Sequence, residues 1–425
     1  MSVALDSYYA DSVRVPFEPT PAFSGELEVD VCVVGGGVSG CSAALHLARA
    51  GFRVALIEAF RIGHGASGRS GGQILPGFGT DMSVIEAQVG LDDARRLWAL
   101  SREALALTES LIDTHGIDCD YRRGYVHTAL KPRHERALKQ WQATLAERYG
   151  YEGLEWLDKA ALQERVVTEA YTGGLFEPEA GHLHPLNYTL GLARAAKAAG
   201  VQVFEYAPAE RIERGEPCRV HTPSGTIRAQ RMVLTVNAYH VGLVPEVASK
   251  IMPVANYIIA TEPLSEAQVA NVLPQNDAVS DANFVLDYYR LSGDRRLLYG
   301  GQVSYDGREP RQLLPRMQAK MAELFPVLKG VAIDYRWGGD VAITRNRAPH
   351  FGVIDQTLYF AHGYSGHGMA LAGLAGKLLA EAIEGHPERF EAFARLTHRD
   401  FPGGRRLRTP LLVLATSFYK LKDRL

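Results

Sequence analysis

Residues 30–58 read DVCVVGGGVSGCSAALHLARAGFRVALIE. This is an apolar, β-branched run, a glycine turn, a helix rich in Ala and Leu, Gly51 as its stop, and a second apolar run. Together they make a βαβ unit. Gly35, Gly37 and Gly40 follow the first strand and open the helix, and Glu58 lies at the end of the second strand. An acid about twenty residues after the glycines is the spacing of a dinucleotide-binding turn. Gly35 permits the tight turn, Gly37 lets the backbone approach a pyrophosphate, and Gly40 lets the helix pack closely. The helix N-terminus offers partial positive charge to phosphates, and Glu58 offers its carboxylate to ribose hydroxyls. A purely structural glycine turn is the competing reading; strand, helix, second strand and terminal acid together weigh against it.

Working outward, GHLHPLNYTLGLARAAKAAGVQVFEY (181–206) predicts a helix through Ala199, a stop at Gly200 and a strand over Val201–Tyr206. RVHTPSGTIRAQRMVLTVNAY (219–239) predicts a hairpin closed at Ser224 and Gly225, then a buried strand over Met232–Val236. Residues 81–165 are charged and carry apolar positions at helical spacing, as in GLDDARRLWALSREALALTESLIDTHG (90–116), an excursion covering the fold. Residues 250–340 alternate instead, in IMPVANYIIATEPL, NFVLDYYRLSGDRRLLYGGQVSY and DYRWGGDVAIT, which predicts an antiparallel sheet. TLYFAHGYSGHGMALAGLAGKLLAEAIEG (357–385) is strand, glycine turn and helix, returning to the first domain. The expected class is α/β: a discontinuous Rossmann-like domain with a second, antiparallel-sheet α+β domain.

A chain of 425 residues is long for one core, so two associated domains are expected. The 46 Lys and Arg nearly cancel the 48 Asp and Glu, which removes the electrostatic footprint of a nucleic-acid binder. Cys32, Cys41, Cys119 and Cys218 form no CxxC pair, so neither a disulfide framework nor a metal site is expected, and reduced thiols fit a cytoplasmic location. Asp6, Asp11 and Glu18 interrupt the first twenty residues, which do not read as a signal peptide. No apolar run approaches the roughly twenty residues of a membrane span.

Two further glycine clusters bear on which dinucleotide is bound. GHGASGRSGGQ (63–73) lets backbone amides pack against a flat ring or a phosphate, with Arg69 adding charge. HGYSGHGM (362–369) precedes the last long helix and aims a second helix N-terminus at an electron-rich group. Reduced flavin, negative near N1 and O2, is such a group.

Through YYA (8–10), the glycine fingerprint, GASGRSGGQ (65–73), DYYRLSGDRRLLYGG (287–301), RWGGDVAITRNRAP (336–349) and GYSGHGM (363–369), the chain resembles the D-amino-acid-oxidase-like superfamily of FAD enzymes. Within it the likeness is strongest to the subfamily that oxidises γ-glutamylputrescine. The resemblance implies an FAD-binding domain over 28–80, 150–245 and 340–400, a substrate domain over 81–149 and 246–339, and a tail from 401 to 425. It gives Gly35, Gly37, Gly40 and Glu58 to the ADP half. Ala66, Ser67, Gly68 and Arg69 fall along the pyrophosphate and flavin, and Gln73 falls near the ring. Ile212 takes a position whose backbone holds adenine, and Gly366, His367, Gly368 and Met369 border the pyrimidine end of the flavin. The activity implied is hydride removal from the carbon beside an amine nitrogen to flavin N5. The imine then hydrolyses to an aldehyde, and the electrons pass to oxygen or another acceptor.

Departures from the superfamily narrow this. Asp340 stands where sarcosine oxidases carry a flavin-linked cysteine, and Ser67 where dimethylglycine dehydrogenases carry a flavin-linked histidine, so the resemblance implies noncovalent FAD. Val341 replaces a carboxylate-binding arginine of glycine oxidase, and Ala370 a lysine of sarcosine oxidase. A small amine, γ-glutamylputrescine or a related polyamine, is therefore favoured over the alternative, a glycine, sarcosine or D-amino acid. Ser70 replaces the asparagine of the subfamily's GRNGG, and Tyr299 stands near the place of an oxygen-activating lysine.

On the substrate side, Tyr257, Tyr288 and Tyr289 are either core residues or aromatic walls for an amine. His367 either tunes the flavin and the amine proton or is a spacer in a glycine turn. Arg345 and Arg347 either meet a distal carboxylate or are solvated. The basic tail RRLRTPLLVLATSFYKLKDRL packs as a terminal helix or touches a membrane or partner subunit. Nothing in the sequence sets an oligomeric state.

Overall fold

The computed structural model describes residues 7–402 apart from 241, 284, 306 and 307. After the short helix α1 (Tyr8–Asp11), strand β1 (Gly25–Val34), helix α2 (Val38–Arg49) and strand β2 (Val54–Ile57) form the expected unit, with β1 and β2 parallel. The chain then passes through the short strand β3 (Gln73–Ile74) to helix α3 (Met82–His115), kinked at Gly90, where φ is 81°. Strand β4 (Arg122–Ala129), helix α4 (Pro132–Tyr149), strand β5 (Glu155–Asp158), helix α5 (Lys159–Gln163) and strand β6 (Gly173–His182) follow.

Helix α6 (Pro185–Ala198) starts with Pro185 in its first turn, where the missing N–H costs nothing, and the His184 ring accepts the Asn187 N–H at 3.0 Å. It leads to β7 (Gln202–Phe204), β8 (Arg211–Glu213), β9 (Cys218–Thr222) and β10 (Gly225–Leu234). Helix α7 (Pro245–Ala248), strand β11 (Met252–Thr261), helix α8 (Glu266–Ala270) and strands β12 (Ala278–Asp281), β13 (Tyr288–Leu291) and β14 (Leu297–Ser304) come next. Helix α9 (Leu313–Leu324), strands β15 (Ile333–Ile343), β16 (His350–Ile354) and β17 (Leu358–His362), and helix α10 (Gly368–Glu384) complete the frame.

Among the described residues the strands make two sheets. The first runs β16-β17-β10-β1-β2-β7, with β8 and β9 beside β10. Its β7, β2, β1, β10 and β17 pair in parallel, and Val31–Val34 of β1 are buried, as a strand covered on both faces must be. The second sheet runs β15-β11-β14-β13-β12-β4-β6-β3 with β5 beside β6, antiparallel except where β12 meets β4. One core fills the space around α2, α3, α6 and α10, and a second lies between the antiparallel sheet and α9. No helix among the described residues is long and apolar enough to cross a membrane.

Three expectations change. Strand β10 is continuous from Gly225 to Leu234 rather than a hairpin strand followed by a second one over Met232–Val236, because its register with β1 carries through from Gly25↔Gly225 to Val34↔Leu234. Strands β3, β5 and β6 belong to the second sheet although their residues fall in 28–80 and 150–245, since β6 pairs with β3, β4 and β5. Strand β15 crosses the expected boundary between 339 and 340 without a break. Of the tail from 401 to 425, residues 403–425 lie outside the described residues.

Candidate active site

The carboxyl ends of β1 and β10 meet where the parallel sheet changes direction, the crevice in which open α/β sheets bind ligands. Thr235 Oγ1 donates there to the carbonyls of Val34 (3.0 Å) and Gly35 (3.1 Å). Gly35 turns with φ 110°, which favours glycine. A Cβ on Gly40 would stand 1.8 Å from the Gly35 carbonyl oxygen, so α2 packs on the turn only because residue 40 has no side chain. A Cβ on Gly37 would stand 2.8 Å from Ser67 Oγ, so the floor of the crevice is bare backbone. Glu58 accepts the N–H groups of Gly36 at 2.7 Å and Phe60 at 3.0 Å. Burial raises its pKa, and those backbone bonds pull it back.

From this crevice a single cavity of about 1810 Å³ runs to the face of the second sheet. Ordinary ligand sites hold roughly 300–1,000 Å³, so this one admits a dinucleotide and a second small molecule together. Glu58 and Ala207–Glu210 line one end. The 3-10 turn Ala66–Gly68 and Arg69 form the middle, where Arg69 donates to the carbonyls of His64 (2.9 Å) and Gly338 (3.1 Å). Gly366, His367, Gly368 and Met369 border the same space at the N-terminus of α10, so two helix N-termini converge on it. Bare glycine backbone, a buried acid at the ribose position and two positive helix ends are the donor set an FAD molecule requires, and the residues fit that cofactor.

Each residue expected from the sequence can now be placed. Gly35, Gly37, Glu58, Ala66, Ser67, Arg69, Gln73, Gly366, His367, Gly368, Met369, Tyr288 and Arg345 line the cavity. Gly40 and Gly68 are buried just behind its wall, each held against a backbone carbonyl. Gln73 donates to the Val279 carbonyl at 3.1 Å. Tyr288 donates to Asn256 Oδ1 at 2.6 Å, and burial raises its phenol well above the usual range. Burial and the Arg347 guanidinium push His367 down to about 4, so its imidazole is neutral near pH 7. Arg345 is exposed at the cavity mouth, where it also donates to the Asp400 carbonyl at 3.3 Å.

Two assignments are corrected. Tyr257, 8 % exposed, turns into the second core, because along β11 the even residues Val254 and Asn256 face the cavity and the odd ones do not. Ile212 pairs with Val220 and packs behind the first sheet, leaving Ala207–Glu210 at the cavity end. Tyr289 and Tyr299 likewise stack on each other in the second core, ring centroids 5.9 Å apart.

Sequence reasoning missed Asn256, Asp281, Tyr125, His127 and Glu177, which all line the cavity from the second sheet. Burial and the Asp287 carboxylate push Asp281 up to about 7. The alternation of Tyr125 and His127 in β4 was the available signal.

Comparisons with known proteins agree with this geometry. The profile of the family described as DAO, FAD dependent oxidoreductase, matches residues 30–382. γ-Glutamylputrescine oxidoreductase of Escherichia coli (strain K12) is 43% identical over 426 residues, covering 100% of both chains. The probable oxidoreductase OrdL of Haemophilus influenzae is 41% identical, covering 98% of this chain and 97% of its own. Among solved structures, glycine oxidase from Bacillus cereus superposes with a TM-score of 0.73 at 20% identity, over 87% of this chain and 99% of its own, a likeness of fold.

Proposed function

The chain belongs to the DAO family of FAD-dependent oxidoreductases, and on that premise we propose that it oxidises the C–N bond of a small amine, γ-glutamylputrescine or a related polyamine derivative. The observation that carries the reading is the one cavity that joins the dinucleotide crevice to the antiparallel sheet, with identity to an amine oxidoreductase along the full length of the chain. When bound, the flavin supplies the hydride acceptor for a carbon beside nitrogen. The chain's residues supply position and dryness. Tyr288, fixed by its bond to Asn256, offers a ring to an amine. His367, kept neutral by burial and the Arg347 guanidinium, lines the cavity as an uncharged imidazole that can hydrogen-bond a neutral amine. Arg345 and Arg347 are exposed and line the mouth of the same cavity. Val341, rather than an arginine, lines the cavity where an amino-acid oxidase would hold an α-carboxylate. Asp340 and Ser67 also line it, so the two positions of covalent attachment carry neither cysteine nor histidine, and FAD is held noncovalently.

The test is anaerobic absorbance spectroscopy of the FAD-loaded protein with γ-glutamylputrescine, free polyamines, monoamines and amino acids in turn, followed by air. Bleaching by an amine supports the reading, and rapid recovery in air makes oxygen the acceptor. Bleaching by amino acids alone would replace it with an amino-acid oxidase or dehydrogenase.

A further inference from the structure

At the end of the cavity against α3 and α4, three polar atoms have no hydrogen-bond partner: Glu177 Oε2, His127 Nε2 and Trp98 Nε1. Tyr125 and Glu177 are register partners across β4 and β6, and His127 follows on the same face two residues along. Trp141 stands edge-on to His127 with centroids 5.1 Å apart, and Trp98 stands edge-on to Tyr151 at 5.5 Å. Glu177 is 0 % exposed, and its other oxygen accepts the Tyr151 hydroxyl.

The charges nearest to it do not neutralise it. Arg102 pairs with Glu179 at 2.8 Å and lies 4.7 Å over the Tyr151 ring. Burial and the Glu179 carboxylate push the Glu177 carboxyl up to about 8, with Arg102 opposing. Without a cation beside it, this carboxyl keeps its proton at neutral pH; a cation seated against its partnerless oxygen within the aromatic wall would draw it into the ionised form.

We propose that Glu177, with Trp98, Tyr125, His127 and Trp141 around it, is a subsite for a second cationic nitrogen on the substrate, so that the enzyme selects molecules carrying an ammonium group remote from the amine it oxidises. This rests on the amine-oxidising reading above and specifies its substrate class. In γ-glutamylputrescine the remote ammonium is the α-amino group of the glutamyl end.

The experiment compares steady-state kinetics of the FAD-loaded enzyme with γ-glutamylputrescine and with N-glutarylputrescine, the same chain without its α-amino group. A charge-assisted contact predicts a preference of about tenfold to hundredfold in kcat/KM for the first compound, carried by KM. Glu177→Gln brings the two compounds level. Equal handling of both by the unaltered enzyme overturns the subsite, as does a preference that persists in Glu177→Gln. If that variant does not hold flavin or melts early, Trp141→Leu is used, and an undiminished preference in it overturns the aromatic wall. Reduction of the flavin by neither compound refutes the amine reading itself, whereas equal reduction by both refutes only the subsite.

Discussion

Gly40 and Glu58 do their work through single atoms. With the Gly35 carbonyl 1.8 Å from any Cβ on residue 40, Gly40→Ala forces α2 off the turn. The expected result is protein purified with far less flavin per polypeptide, read from its absorbance, together with a lost stability of about 1–3 kcal/mol. Glu58→Gln keeps the shape and one acceptor but exchanges a carboxylate that holds two N–H groups for an amide. Weakened FAD binding by about 1.5–3 kcal/mol is expected, measured by flavin titration of the apoprotein. These positions were legible in the sequence because bare backbone and a terminal acid are chemical necessities at fixed spacing. Tyr257 stayed between core and cavity wall for a different reason: a strand's period of two is visible in sequence, but its phase is set by which face meets the partner layer. The neighbours Tyr288 and Tyr289 make the same point, one in the cavity and one in the core.

Helices α2 and α10, which both begin at the cavity, cross in close contact. A Cβ on Gly376 would stand 2.5 Å from the Ala43 nitrogen and 2.6 Å from the Ser39 carbonyl oxygen, and Ser42 Oγ donates to the Gly373 carbonyl at 2.6 Å. Small residues here let two positive helix ends reach one cofactor. Gly376→Leu separates the helices, and it is expected to lower the melting temperature and raise the Kd for FAD together, although residue 376 itself does not line the cavity. An unchanged Kd in a destabilised variant would show that the crossing serves packing alone. The first βαβ unit and the α10 turn were legible because each combines a strand, a glycine turn and a helix. Strands β4 and β6 were hidden: Arg122 and Arg123 open one, and the other carries Pro178 between Glu177 and Glu179. Since those strands carry Tyr125, His127 and Glu177, the substrate end of the cavity was hidden with them.

Across the fold, burial holds many histidines neutral. His127, His182 and His184 are pushed down to about 3, His240, His367 and His398 to about 4, and His350 to about 2, while His362 is also held well below its usual value. His240, His362 and His350 form a continuous chain of ring contacts at 2.7 and 2.8 Å. In the unfolded chain each would bind a proton below about pH 6.5, whereas the fold refuses it until far lower. The unfolded state therefore holds more protons in acid, and stability falls as pH drops below about 6.5. Glu177, raised to about 8, and Asp281, raised to about 7, work in the other direction, since the fold keeps protons there that the unfolded chain has lost. Glu58, Asp277, Asp340 and Glu381 are raised too, yet the eight histidines still outnumber these six carboxyls and keep the sign. Thermal melts of the FAD-loaded protein are expected to peak near pH 7, to slip slightly toward pH 8 as Glu177 gives up its proton, and to fall steeply between pH 6.5 and 5. A melting temperature that holds or rises over that interval would mean that these rings take up protons inside the fold.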